Sequence, residues 1–177
     1  MANRLTDVQA IRRLGLAIAA LVFGLDQFVK AVIIHAVALP DRLGEAIDVL
    51  PVFRLVWVEN HGISMGFLTA DSVAERWLLV ALTAGIAIAV LFWLWREGNR
   101  LDAAALGLVL GGAAGNITDR VRLGFVADFL DLHFGDLHPF LVFNVADAAI
   151  TIGVLLLVLR ALFVRQSAKA PAEDMNA

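Results

Sequence analysis

Residues 112–129 read GAAGNITDRVRLGFVADF. The first part is small and apolar enough for a bilayer helix, and then Asn116, Asp119, Arg120, Arg122 and Asp128 crowd into a few turns of chain. Groups this polar are costly in hydrocarbon, so they mark a boundary with a task beyond spanning. A second cluster, FNVAD at residues 143–147, opens the next apolar segment. The two clusters are expected to face each other and to carry the chemistry of the chain.

Composition sets the class in which this is read. The 177 residues are 60% hydrophobic and 18% charged, with a mean hydropathy of +0.82. A soluble domain is nearer half apolar and a quarter charged. The excess is more apolar surface than one small core hides, and a membrane is its natural sink. A net charge of -3 and the lack of a basic aromatic stripe argue against nucleic acid. Without cysteine there is no disulfide, no thiolate nucleophile and no cysteine-ligated metal.

Working outward from the opening stretch, the fold class is an α-helical integral membrane protein. Four transmembrane helices are expected at about 14–37, 76–95, 102–121 and 140–163, each near the length that crosses the hydrocarbon. Asp26 and Lys30 lie four apart on one face of the first helix, either as a snorkelling interfacial pair or as part of a site. Residues 40–70 are water-facing. Their β-branched and aromatic run at 49–58 suggests short strands, hence a small extracytoplasmic β-sheet lying on the membrane surface. Asn60, His61 and Gly62 read as a turn. Ser72 and Glu75 form a capping-box pattern for helix two, and Asp102 is a candidate cap for helix three. Gly107, Gly111 and Gly115 recur every four residues, the small-residue face that lets membrane helices approach closely. Residues 1–165 read as one membrane-embedded domain and 166–177 as a polar disordered tail.

Arg4, Arg12, Arg13, Arg96, Arg100, Arg160, Arg165 and Lys169 all fall at one end of a four-span arrangement. By the positive-inside rule that end, with both termini, is cytoplasmic. Both polar clusters then face outward.

Asn116 and Arg120 share a helix face, as do Asn144 and Asp147, the latter pair expected about two turns into helix four. A re-entrant return after helix three would bring Asp128 against Asp147. Two carboxylates close together in low dielectric hold a proton between them. Such a pair can activate water with one member and protonate a leaving amine with the other, which is amide hydrolysis without a covalent intermediate. Zinc chemistry lacks an HExxH motif, the four histidines lack metal spacing, and Ser64 near His61 lacks a third partner. An ion-coupled transporter or proton channel using the same carboxylates is the alternative from another class, and a scaffold subunit a third.

The blocks GAAGNITDR at 112–120, VADF at 126–129 and FNVAD at 143–147, with Asp26-Gln27 and Lys30 in the first helix and Asn60-His61-Gly62-Ile63-Ser64 in the surface segment, together resemble the type II, or lipoprotein, signal peptidases. Met65 stands where that family more often has an aromatic, and Leu141 lies in a segment often richer in proline. The resemblance implies an aspartic endopeptidase of the bacterial inner membrane. It would cut diacylglyceryl-modified prolipoproteins on the N-terminal side of the lipidated cysteine. It maps Asp128 and Asp147 onto the catalytic pair. Asn116, Arg120, Asn144, Asp26, Lys30, Asn60 and Gly112 map onto supporting and substrate-binding positions. No metal or other cofactor is expected. The expected partners are the lipid-modified precursor and membrane lipids, without nucleic acid, around a monomeric enzyme.

Overall fold

The structure is a computed structural model that describes residues 2–42, 44–62 and 73–167. Ile63, Ser64, Met65, Ser72, Lys169 and the rest of the tail lie outside the described residues, as do the side chains of Arg4 and Arg165. The elements are α1 (Ala2–Ala31), β1 (Ile47–Leu50), β2 (Phe53–Asn60), α2 (Val73–Arg96), α3 (Arg100–Arg122), β3 (Val126–Leu132) and α4 (Val145–Ser167). All four helices are long and apolar enough to cross a membrane.

Helix α3 is the hub. Half of its most apolar window is buried, against 6% for α2, which therefore faces outward along most of its length. The small residues explain how α3 is packed from two sides. Gly107, Gly111 and Gly115 lie against α1, where an added Cβ would strike Gly15, Ala19 and the Asp26 carboxylate. Gly112 turns the other way, and a Cβ there would stand 2.5 Å from the Ala146 carbonyl of α4. The backbones thus meet at distances that side chains would forbid.

The helix bounds differ from the sequence expectation in three instructive ways. Helix α1 starts at Ala2 rather than near residue 14, because the basic lead is already part of it. Its Ile11 packs with Leu94, Ala103 and Leu106, and Arg12 lies over the Trp95 ring. Its last turn widens into a π-helical turn, Val32–Ala36. Helix α3 is capped by Asn99, not Asp102: the Asn99 side chain accepts from the backbone N–H groups of Leu101 and Asp102. Helix α4 starts at Val145, not near 140, because Phe143 is spent in an extended bridge to Leu130 and Asn144 caps the helix.

The sheet is also larger than residues 40–70 could make. It is three-stranded and antiparallel in the order β1-β2-β3. β3 comes from the chain after α3, so Asp128 sits on a strand rather than in a re-entrant loop. The aspartates of VADFLDL are three apart and fall on opposite faces, which breaks the alternation that marks a strand in sequence. Beneath the sheet, Phe129, Leu39 and Ile33 form a buried cluster that seats it on the end of α1.

Candidate active site

Two groups of carboxylates occupy the sheet end of the bundle, with Asp26, Asp119 and Asp128 buried and Asp147 half-buried. The first joins α1 to α3. Lys30 Nζ lies 2.9 Å from Asp26 Oδ2 and 2.6 Å from Asp119 Oδ2. Asp26 is fully buried and Lys30 is 3% exposed, so the pair does not snorkel to the interface. Asp26 also accepts from the Ala146 backbone N–H at the start of α4, and Asp119 from the Ala127 N–H of β3. Gln27 adds a side-chain bond to Asp119 at 3.1 Å. Every element that carries the second group is thereby anchored to this first one.

The second group is Asp128 and Asp147. Asn144 bridges them: its side-chain amide donates to Asp128 Oδ1 at 2.6 Å and its backbone N–H to Asp147 Oδ2 at 3.2 Å. The second oxygen of Asp128 accepts from Asn60 Nδ2 at 2.9 Å, and that of Asp147 from Asn116 Nδ2 at 2.8 Å. All four carboxylate oxygens therefore hold an amide donor. Asp147 lies in the first turn of α4, not two turns into it. Its backbone N–H donates to Asn144 Oδ1 at 2.9 Å, which makes the two residues a reciprocal capping box. The helix start thus fixes one carboxylate of the pair.

Each asparagine is itself held. Lys30 donates to Asn116 Oδ1, which also accepts from the Asn144 side chain. Asn60 Oδ1 accepts from the Gly62 N–H, and Gly62 has φ +116 with Leu79 where a Cβ would be. This gives the Asn60-His61-Gly62 sequence its meaning: a glycine-dependent turn that aims Asn60 at Asp128.

Burial pushes the Asp128 carboxyl up, to about 6. The hydrogen bond from Asn60 opposes this, the charge of Asp147 adds to it, and Asn144 and Lys30 pull it back down. A carboxyl so placed holds a proton far closer to neutrality than a solvated aspartate does.

The supporting positions named from sequence divide on inspection. Asn60, Asn116 and Asn144 bond the carboxylates directly, whereas Asp26 and Lys30 act one bond further away. Arg120 is in electrostatic reach of Asp147, Asp128 and Asp119, yet its Nε is buried with no hydrogen-bond partner among the described residues, and it does not clamp either carboxylate. Gly112 sits in the α3–α4 contact. Gln27 and Asp119 stand inside the same motifs but are not among the site positions that the sequence points to. The spacing of Asp119 to Asp26 and Lys30 across two helices is invisible in one chain. Beside Asp147 a cavity of about 300 Å³ opens between Phe140, Leu141 and Phe143 and the α4 residues Ala148, Thr151 and Ile152. Nothing in this arrangement favours the transporter reading, since the buried polar groups gather at one end of the bundle.

The sequence model of the family described as Signal peptidase (SPase) II matches residues 18–163. A lipoprotein signal peptidase of Rhizorhabdus wittichii is 60% identical over 98% of this chain and 99% of its own length. One of Sphingopyxis alaskensis is 51% identical over 88% and 89%. Among solved structures, a bacterial membrane enzyme superposes with a TM-score of 0.73 at 29% identity, covering 90% of this chain and 93% of that one. With its four apolar helices, its sheet and this similarity along nearly its whole length, the chain belongs to the signal peptidase II family.

Proposed function

We propose that the chain removes the signal peptide from diacylglyceryl-modified prolipoproteins, cutting on the N-terminal side of the lipidated cysteine, with Asp128 and Asp147 as its catalytic pair. The observation that carries this reading is the amide-bound pair of carboxylates at the sheet end of the bundle, of which Asp147 lines an apolar cavity. One carboxylate is ionised and takes a proton from water as it attacks the scissile carbonyl carbon. The other holds the shared proton, and after attack passes it to the leaving amine as the C–N bond breaks. The amine that leaves is that of the lipidated cysteine. Asn60, Asn116 and Asn144 orient the four oxygens, and the charge of Arg120 moderates the negative charge of the pair.

The finer setting follows from charge. Arg12, Arg96, Arg100 and Arg160 mark the end of the bundle opposite the carboxylates, so both termini lie in the cytoplasm and the pair faces the outer side of the inner membrane. That is where a lipid-anchored precursor presents the end of its signal helix. Residues 1–165 act as one peptidase domain, a monomer surrounded by membrane lipids. The sheet cradles the extended cleavage segment, with edge hydrogen bonding available to an unwound backbone.

Purified protein incubated with a lipidated precursor should release the signal peptide and leave cysteine at the new N-terminus, as read by mass spectrometry. Cleavage at another bond, or equal cleavage by Asp128→Asn, would overturn the assignment.

A further inference from the structure

Asp131 is a buried acid that the chemistry above does not use. It lies on β3 three residues after Asp128, on the other face of the strand, and is 3% exposed. Its carboxylate is nevertheless fully engaged. Arg54, its cross-strand partner on β2, donates from Nε at 2.7 Å, and His138 Nδ1 meets the other oxygen at 3.0 Å. Burial raises the Asp131 carboxyl, but the bonds from His138 and Arg54 more than reverse this and hold it below the usual carboxylate range. The bond from the Arg54 guanidinium to a carboxylate is of the stronger, charge-assisted kind.

What these bonds hold is the return from β3 to α4. His133 donates its backbone N–H to Val52 and stacks on His138 with ring centroids 5.8 Å apart. The chain doubles back between Phe134 and Leu137. Five residues after His138, Phe143 exchanges backbone bonds with Leu130, at 3.0 and 2.8 Å. The next residue is Asn144, the bridge between the two carboxylates. Phe140 and Leu141, which line the cavity beside Asp147, lie in the same span. The segment that delivers Asn144 is therefore pinned to β3 at two places, and Asp131 makes the first of them.

We propose that Asp131 is a positioning residue for the peptidase reaction: with Arg54 and His138 it pins the return between β3 and α4, and so fixes where Asn144 stands between Asp128 and Asp147. The proposal rests on the assignment of those two aspartates as the reacting pair. Without the pin, a longer span of chain is left to find its place from the Phe143 bridge alone. Asn144 then samples positions from which its side chain does not reach Asp128.

The test compares Asp131→Ala, His138→Ala and His138→Gln in the full chain, with a lipidated precursor across a pH series. Asp131→Ala should lower kcat by about 10- to 100-fold, the scale expected when reacting groups are misplaced by a distant change, with KM little altered. The decline of kcat/KM with rising pH should move to higher pH, because Asp128 loses a donor that favours its ionised form. His138→Ala should repeat both effects more weakly, and His138→Gln, which keeps a donor toward Asp131, should restore kcat. The proposal fails if kcat stays within about twofold of the parent. It also fails if kcat drops while the pH profile stays fixed and glutamine is no better than alanine, the signature of a folding defect alone. Should Asp131→Ala not fold, the His138 pair decides, since that side chain is 40% exposed. Asp128→Asn in the same assay keeps the two claims apart. Activity that survives there sinks the catalytic assignment and this proposal with it, whereas activity lost there but unchanged in Asp131→Ala sinks the pin alone.

Discussion

The Asp26–Lys30–Asp119 group and the Asp128–Asp147 pair lie side by side and share Asn116, yet they are built on opposite plans. In the first, a buried ammonium stands within 2.9 Å of both carboxylates. In the second, all the donors are neutral amides, and the nearby Arg120 bonds neither acid. A carboxylate facing a buried cation has its charge matched and its geometry locked, which suits a joint between helices. A carboxylate facing only amides is oriented but not neutralised, so a proton remains the cheapest way to settle its charge. One cluster ties the helices together, and the other holds two acids without a bonded cation, which is what the proposed proton chemistry needs.

Neutralising acids on each side is the harshest way to break this contrast. Asp128→Asn and Asp147→Asn should each lower cleavage by about 1,000-fold or more, the general acid–base scale, with thermal stability in detergent near the parent value. Asp119→Asn should instead lower stability first. An Asp119 variant that unfolds normally but cannot cleave would erase the distinction.

Removing the cation comes next. Lys30→Met leaves Asp26 and Asp119 buried without their partner and should cost about 3–5 kcal/mol of stability, measured by thermal or denaturant unfolding. Molecules that remain folded should show the fall in activity only slightly shifted to higher pH, because Lys30 is the last and smallest of the influences on Asp128. A large shift of the profile at unchanged stability would mean that Lys30 tunes the pair rather than the frame.

A subtler change sharpens the comparison on the proton-bearing side. Burial, with the charge of Asp147 adding to it, raises Asp128 from 3.8 to about 6, so its proton is lost near that pH. Activity that needs that proton, read as kcat/KM, should fall as pH rises through about 6. Because the folded form binds this proton more tightly than the unfolded chain, Asp128 also makes stability decline between pH 3.8 and about 6 rather than increase. Asn60→Ala removes a bond that favours the ionised carboxylate, so the fall in activity should shift to higher pH. A shift to lower pH would reverse the role given to Asn60.

The smallest effect is expected at the far end of the bundle. Arg160 and Asp102 form an ion pair in which both side chains keep some exposure. Asp102→Asn should change stability by no more than about 1 kcal/mol and leave the pH profile untouched. A loss comparable with that of Lys30→Met would show that the contrast lies in burial less than in charge matching anywhere in the chain.

Much of this was legible before any coordinates. Apolar runs of bilayer length, the glycines of residues 107–115 and the polar blocks at 112–129 and 143–147 are local signals, and hydropathy and helical period read local signals well. The same blocks point to Asp128 and Asp147 as the candidate pair, and the expected helix spans differ from the structure mainly at helix ends. Those ends depend on which group accepts the first free N–H: Asn99 rather than Asp102 for α3, and Asn144 for α4.

What only the tertiary structure decided is how distant polar groups divide their partners. That β3 pairs with β2, that Lys30 serves Asp26 and Asp119 while Asn144 serves Asp128 and Asp147, and that Arg120 stands apart are outcomes of three-dimensional proximity. A carboxylate in low dielectric takes whichever donor the packed backbone brings within 3 Å, and sequence spacing does not encode that distance. Residue types and periods determined a four-helix membrane protein with acids at one end; the packing decided which acids bind a cation and which bind only amides.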